Sequence, residues 1–178
     1  LALHHYTFNN KAEELYPLVS TVEQLLQSVA HASSAAGFRA KAALTELLTN
    51  AIKHAGDAET TIEVIVDDQA ILIKKLDSGE PLVLTSDGLK YVWPLPGVHH
   101  QEKTITIYGD DELVLKARFI NNTEVTFYTE ELLNLHPDAG HLPEHFGLMI
   151  IARACSHFSY RFDIDTCTNI FTVIIPTE

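Results

Sequence analysis

Residues 43–55 read Ala43-Leu44-Thr45-Glu46-Leu47-Leu48-Thr49-Asn50-Ala51-Ile52-Lys53-His54-Ala55. Wound at about 100° per residue with Glu46 as zero, Asn50 falls at about 40°, Lys53 at about −20° and His54 at about 80°. Leu44, Leu48, Ala51 and Ala55 fall on the opposite side, between about 140° and 200°. One face is therefore apolar, and the other sets a carboxylate, an amide, a cation and an imidazole in a line. A carboxylate orients or deprotonates a nucleophile, an amide oxygen suits a hard cation such as Mg²⁺, and a lysine meets phosphate as a point charge. The solvated face of any amphipathic surface helix presents the same pattern, and periodicity alone does not separate the two readings.

Around this helix, expected over 38–55 and closed by Gly56, the remaining pattern alternates between two periods. Residues 3–8 read as a strand ended by the turn-forming Asn9-Asn10. A helix over 11–32 follows, with Leu15, Leu18, Val22, Leu25, Leu26 and Val29 at three- and four-residue spacing, and Ser33-Ser34 through Gly37 breaks it. Residues 60–66 and 70–76 are Ile- and Val-rich strands joined by a tight turn at Asp67-Asp68. Pro94, Pro96 and Gly97 mark an extended loop, and short strands near 103–108, 112–119 and 124–129 form a β-meander. A helix over 144–157 and strands over 158–164 and 169–175 complete the chain. The expected fold is α+β: a two-layer α/β sandwich whose mixed, mostly antiparallel sheet is covered on one face by three helices, with the meander as an insert.

The 178 residues fit one domain, and 46% apolar against 20% charged composition is that of an ordered globular chain. Twelve Lys and Arg against 24 Asp and Glu give a net charge of −12. Such a chain repels phosphate backbones and anionic lipid, so neither nucleic acid nor a membrane surface is an expected partner. No run approaches the roughly 20 apolar residues of a membrane span. Leu1-Ala2-Leu3-His4-His5 has no basic segment leading into an apolar run, so a cytoplasmic location is expected, although the absent initiator Met leaves a removed segment open. Cys155 and Cys167 form no CxxC pair and read as two buried, reduced thiols.

The segment Glu46-Leu-Leu-Thr-Asn50-Ala-Ile-Lys-His-Ala55 resembles the N box of the GHKL ATPase superfamily. Leu76-Asp77-Ser78-Gly79 resembles the first glycine box, and His145-Phe146-Gly147-Leu148-Met149-Ile150-Ile151 the second. Phe171-Thr172-Val173-Ile174-Ile175-Pro176 resembles the closing strand. These four pieces stand in the superfamily's order and cover the chain except about 82–140, where the superfamily places its ATP lid. The plan of one strand followed by two helices is similar to stand-alone anti-sigma serine/threonine kinases. His31 is followed by Ala32-Ser33 and does not resemble a histidine-kinase phosphoacceptor.

The resemblance implies one ATP-binding domain over 1–178 with ATP and Mg²⁺ as cofactors. It gives Asn50 the Mg²⁺, Glu46 the role of base, and Asp77 the exocyclic amine of adenine. Gly79 would let the backbone pass close to the base. Phe146, Gly147 and Leu148 would open a helix toward phosphate, Lys53 would meet phosphate, and Asn169 would stand where a hydroxyl normally assists near adenine. A sigma factor or an anti-sigma antagonist is the implied protein partner, and a homodimer the implied assembly. Pro81, His145 and Thr168-Asn169 depart from the superfamily's Gly, Gly and Gly-Thr. They keep open a second reading, a GHKL-fold module without catalysis that regulates a partner by contact.

Two further groups invite a reading. Tyr91, Trp93, Leu95 and Val98 beside two prolines make either an aromatic docking anchor or the packing of the meander onto the sheet. His136, Asp138, His141, Glu144 and His145 cluster as zinc ligands would, but Pro137 and Pro143 prevent a helical His-x-x-x-His face, so lid or surface histidines are the expectation.

Overall fold

In the computed structural model the described residues are 2–29, 32–97, 102–109, 112–131 and 145–178. The elements run β1 (Ala2–Phe8), α1 (Ala12–Ser28), α2 (Ser34–His54), β2 (Thr60–Val66), β3 (Ala70–Asp77), β4 (Val83–Ser86), β5 (Leu89–Val92), β6 (Thr104–Gly109), β7 (Leu113–Phe119), β8 (Glu124–Glu131), α3 (Phe146–Ala154), β9 (His157–Asp163) and β10 (Thr168–Pro176). Eight strands form one sheet in the order β1-β2-β3-β10-β9-β8-β7-β6, and β4 and β5 pair separately. The fold is α+β as expected, with one correction: every pairing in the large sheet is antiparallel, so the sheet is not mixed.

Alternation explains the sheet's inner face. Ile71, Ile73, Lys75 and Asp77 are buried along β3 while Leu72, Lys74 and Leu76 between them are only half-buried. The ladders carry the same parity across the sheet, placing Val173 and Phe171 opposite Ile73 and Lys75, then Phe158 and Tyr160, then Phe127 and Val125. The helices pack side by side on this face. Ala40, Ala43, Leu44, Leu47, Leu48 and Ala51 of α2 are buried there, joined by Val19, Val22 and Leu26 of α1. The alanines let α2 approach its neighbours closely, while Leu44, Leu47 and Leu48 fill the space above the strands. Among the described residues no helix is long and apolar enough to cross a membrane.

Helix α2 starts four residues earlier than the sequence pattern suggests. Ser33 caps it, its side chain accepting from Ala36 N at 3.1 Å, and Gly37 is carried inside the first turn. Both ends of α2 are tied down. At the start, Ser33 N donates to Thr177 O at 3.0 Å, and Arg39 Nη2 donates to the carbonyls of Pro176 and Glu178, each at 2.8 Å. At the finish, Gly56 takes φ +65°, the left-handed step a helix-ending glycine supplies, and Glu80 N donates to His54 O at 3.3 Å.

The meander extends the main sheet. Val125 and Phe127 of β8 stand opposite Tyr160 and Phe158 of β9, so β6, β7 and β8 add three strands to the five that precede them. Asp87-Gly88, with φ +50° and +75°, closes the β4–β5 hairpin, which the irregular look of this region conceals. Tyr91, Trp93 and Leu95 are buried and so pack the insert onto the sheet; Val98 lies outside the described residues. The Trp93 ring meets Phe119 edge-on at 5.2 Å and Tyr160 at 6.2 Å. Trp93→Ala is expected to cost about 3–5 kcal/mol, the usual loss for a large buried aromatic, read by urea unfolding.

Candidate functional site

The site is built from α2, the turn after β3, the start of α3 and β10. Glu46 and Asn50 are half-buried on α2, and Lys53 and His54 are exposed at its end. The first turn of α3 lies directly on the first pair. A methyl group on Gly147 would come within 2.6 Å of Glu46 Oε2 and 3.9 Å of Asn50 Oδ1. A side chain at 147 would therefore have to push the Glu46 carboxylate aside. The first N–H groups of α3, which have no partner within the helix, make this end electropositive and suit an anion. Leu148 is buried in the core and offers the site only its backbone, while Phe146 is exposed and meets Tyr108 edge-on at 6.0 Å.

The second cluster centres on Asp77, 5% exposed, at the end of β3. Its Oδ1 accepts from Gly79 N at 2.9 Å and from Asn169 Nδ2 at 3.0 Å, and its Oδ2 accepts from Lys75 Nζ. Asn169 stands directly opposite Asp77 in the β3–β10 ladder. Its Nδ2 also reaches Gly79 O at 3.1 Å and Glu80 O at 3.3 Å, and its Oδ1 accepts from the Tyr160 hydroxyl at 2.7 Å. The Tyr160 hydroxyl in turn accepts from Leu82 N at 3.1 Å. Lys75, Asp77, Asn169 and Tyr160 thus form one buried polar network that pins the turn 78–82 to the sheet.

Lys75 is 3% exposed, and its ammonium lies 4.8 Å from the Phe171 ring centroid. Burial pushes its pKa down and the Asp77 charge opposes that shift. Burial likewise holds the Tyr160 phenol well above its ordinary value, so it stays a neutral O–H donor. An ionised carboxylate offers roughly four acceptor positions. Asp77 spends two at Oδ1 and one at Oδ2.

Gly79 does its work against protein. A methyl there would fall 2.5 Å from Ala55 Cα and 2.5 Å from His54 O, so glycine lets this turn press onto the end of α2. Beside that contact lies an open cleft of about 550 Å³ lined by Lys53, His54, Ala55, Gly56, Ser78, Gly79 and Glu80. The structure therefore brings Glu46, Asn50 and Gly147 into one cluster, and Asp77, Gly79 and Asn169 into another. Lys53 and Gly79 share the cleft wall. Together these groups offer oxygen donors for a hard cation, and a cation and helix N–H groups for an anion.

Sequence reasoning missed Lys75 and Tyr160. Parity would have found Lys75: it shares the phase of Ile71, Ile73 and Asp77, so a strand buried on that face must bury an ammonium next to a carboxylate. His145 is buried and starts α3, whereas His136, Asp138, His141 and Glu144 lie outside the described residues, as do His99 and His100. Among the described residues no group of three or more His, Cys, Asp or Glu could hold a metal ion. Cys155 is a half-buried thiol whose pKa burial pushes up to about 12, but Cys167 is exposed in the turn before β10, contrary to the expectation of two buried thiols.

No protein-family model matches the chain, and no curated protein matches it. Two substitutions probe the geometry. Asp77→Ala leaves the Lys75 ammonium buried without a counter-charge and is expected to cost about 3–5 kcal/mol by urea unfolding. Gly79→Ala, whose methyl meets backbone atoms, is expected to cost about 1–3 kcal/mol. Gly147→Ala, which meets only the movable end of Glu46, should lower the thermal midpoint less than Gly79→Ala does.

Proposed function

We propose that this chain is a Mg-ATP-binding regulatory domain of the GHKL type that acts as an anti-sigma-type serine/threonine kinase on a small antagonist protein. The observation that carries the reading is convergence. Glu46 and Asn50 of α2 lie against Gly147 of α3, while Asp77 and Gly79 are joined to Asn169 across the β3–β10 ladder. The stretches that suggested a common function thus meet in two clusters, linked where Gly79 presses on His54 and Ala55 at the end of α2.

The donor set fits the cofactor. Asp77 lies just before Ser78 and Gly79 of the cleft wall, and beyond its three internal donors it would have one acceptor position for a base carrying an amino group. The Asn50 amide oxygen is a hard neutral ligand for Mg²⁺. Lys53 stands at the rim of the cleft, and the N–H groups of Phe146, Gly147 and Leu148 open α3 beside Glu46. Bound Mg-ATP would supply the transferable phosphoryl group. Glu46 would accept the hydroxyl proton as the partner's serine oxygen bonds to the terminal phosphoryl group and ADP leaves, while Asn50 would hold the cation and Lys53 would meet phosphate oxygens.

One observation favours a second reading, a GHKL-type module that regulates a partner by contact alone. The Glu46 carboxylate already rests on the first turn of α3, at the distance where a methyl group on Gly147 would collide with it. A base in that position has little room for a substrate hydroxyl.

Calorimetric titration with ATP, with and without Mg²⁺, tests the proposal. Mg-dependent binding is expected, weakened about tenfold or more by Asn50→Ala. Glu46→Gln is expected to retain that binding and to lower phosphoryl transfer to the partner by about 10²–10⁴-fold. Absence of binding up to millimolar ATP overturns the nucleotide reading. Binding without any transfer, and a regulatory effect that survives Glu46→Gln, supports the contact module instead.

A further inference from the structure

Strand β6 is an edge of the large sheet and carries a bulge. Up to Thr106 it alternates, with Ile105 buried and Thr104 and Thr106 exposed. Unbroken alternation would turn Ile107 inward and Tyr108 outward. Instead the register against β7 shifts: Thr106 lies opposite Lys116, and Tyr108 lies opposite Leu115, a fully buried residue. Ile107 and Tyr108 therefore both face the helices, the re-aiming of a side chain that an extra residue in one strand provides. It brings the Tyr108 ring edge-on to Phe146, with 6.0 Å between centroids.

Phe146 is the other half of the pair. Leu148, Met149 and Ile151 of α3 are buried in the core, whereas Phe146 is 50% exposed. Of the large apolar side chains that the described residues leave exposed, it is the one next to the contact between Gly147 and Glu46. The two rings thus hold an apolar surface at the rim of the site, backed on one side by β6.

A serine that reaches Glu46 arrives beside this pair. In the transfer its oxygen bonds to the terminal phosphoryl group, its proton passes to Glu46 and ADP leaves. Phe146 directly precedes Gly147, so an extended chain rising about 3.3 Å per residue spans the step from the carboxylate to the ring in about three residues. We propose that Tyr108 and Phe146 form an anchor that selects the partner's phosphoacceptor segment, taking an aliphatic or aromatic side chain within about three residues of its serine. This rests on the kinase reading above.

The test uses peptides with one fixed serine, in which Leu, Phe, Ala or Lys is placed at each flanking position in turn, with Mg-ATP as the phosphoryl donor. The wild type is expected to use a Leu or Phe peptide about tenfold or more better in kcat/KM than its Ala counterpart, with the difference in KM. Phe146→Ala and Tyr108→Ala are each expected to reduce that ratio to about threefold or less, while Tyr108→Phe, which keeps the ring, keeps the ratio. Calorimetry with Mg-ATP accompanies the assay, and Tyr108→Ala should bind it as the wild type does. A wild type that binds Mg-ATP but uses all peptides alike, or none of them, overturns the inference and leaves the nucleotide site standing. A preference that survives both alanine variants does the same. Sedimentation in which Tyr108→Ala changes self-association, with the peptide preference intact, gives the ring pair to a second copy of the chain and also overturns the inference. A wild type that binds no Mg-ATP overturns the site and the inference together.

Discussion

The antiparallel pairing of β3 with β10 is the constraint on which the rest of the molecule depends. These strands are far apart in sequence, so joining them closes a long loop and costs chain entropy that local hydrogen bonds do not repay. Buried contact across the seam offsets it: Ile71 and Ile73 lie opposite Ile175 and Val173, and Lys75 lies opposite Phe171. At the end of the seam, chemistry replaces packing. Asp77 and Asn169 face each other there, and the turn that leaves β3 is held by their side chains.

Placing a lysine in that seam is costly unless its charge is answered. Lys75 is answered by Asp77 on one side and by the face of Phe171 on the other. The Asp77 carboxylate thereby serves two purposes, as counter-charge for an interior ammonium and as acceptor for the turn that borders the cleft. The chain's overall surplus of acid gives no hint of this, because the pair is neutral as a unit and hidden from solvent.

Local signals in the sequence carried the fold a long way. Among the described residues, helical spacing and β-rich runs bounded by turn residues located the three helices and eight of the ten strands. The β4–β5 hairpin was written in Asp87-Gly88, a turn signal that the surrounding prolines obscured. What the sequence could not display was partnership between distant strands. The meander was legible as a meander, but its attachment through β8 to β9 depends on Val125 meeting Tyr160 and Phe127 meeting Phe158, a match of inward-facing residues from separate segments. The site divides in the same way. That Glu46 and Asn50 share one face follows from helix geometry, whereas the function of Gly79 as a contact against Ala55 and His54 exists only once α2 and the turn have met.

Helix α2 is anchored at both ends, by the chain's last residues at Ser33 and Arg39 and by Glu80 at His54. It behaves as a strut, and the side chains it carries along one edge keep a fixed spacing. Any ligand entering beside it meets groups whose ordering entropy was lost when the chain folded, before the encounter. Helix α3, by contrast, is short and approaches Glu46 through a single glycine. The molecule thus pairs a long helix held at both ends with a short one packed against it through a single glycine.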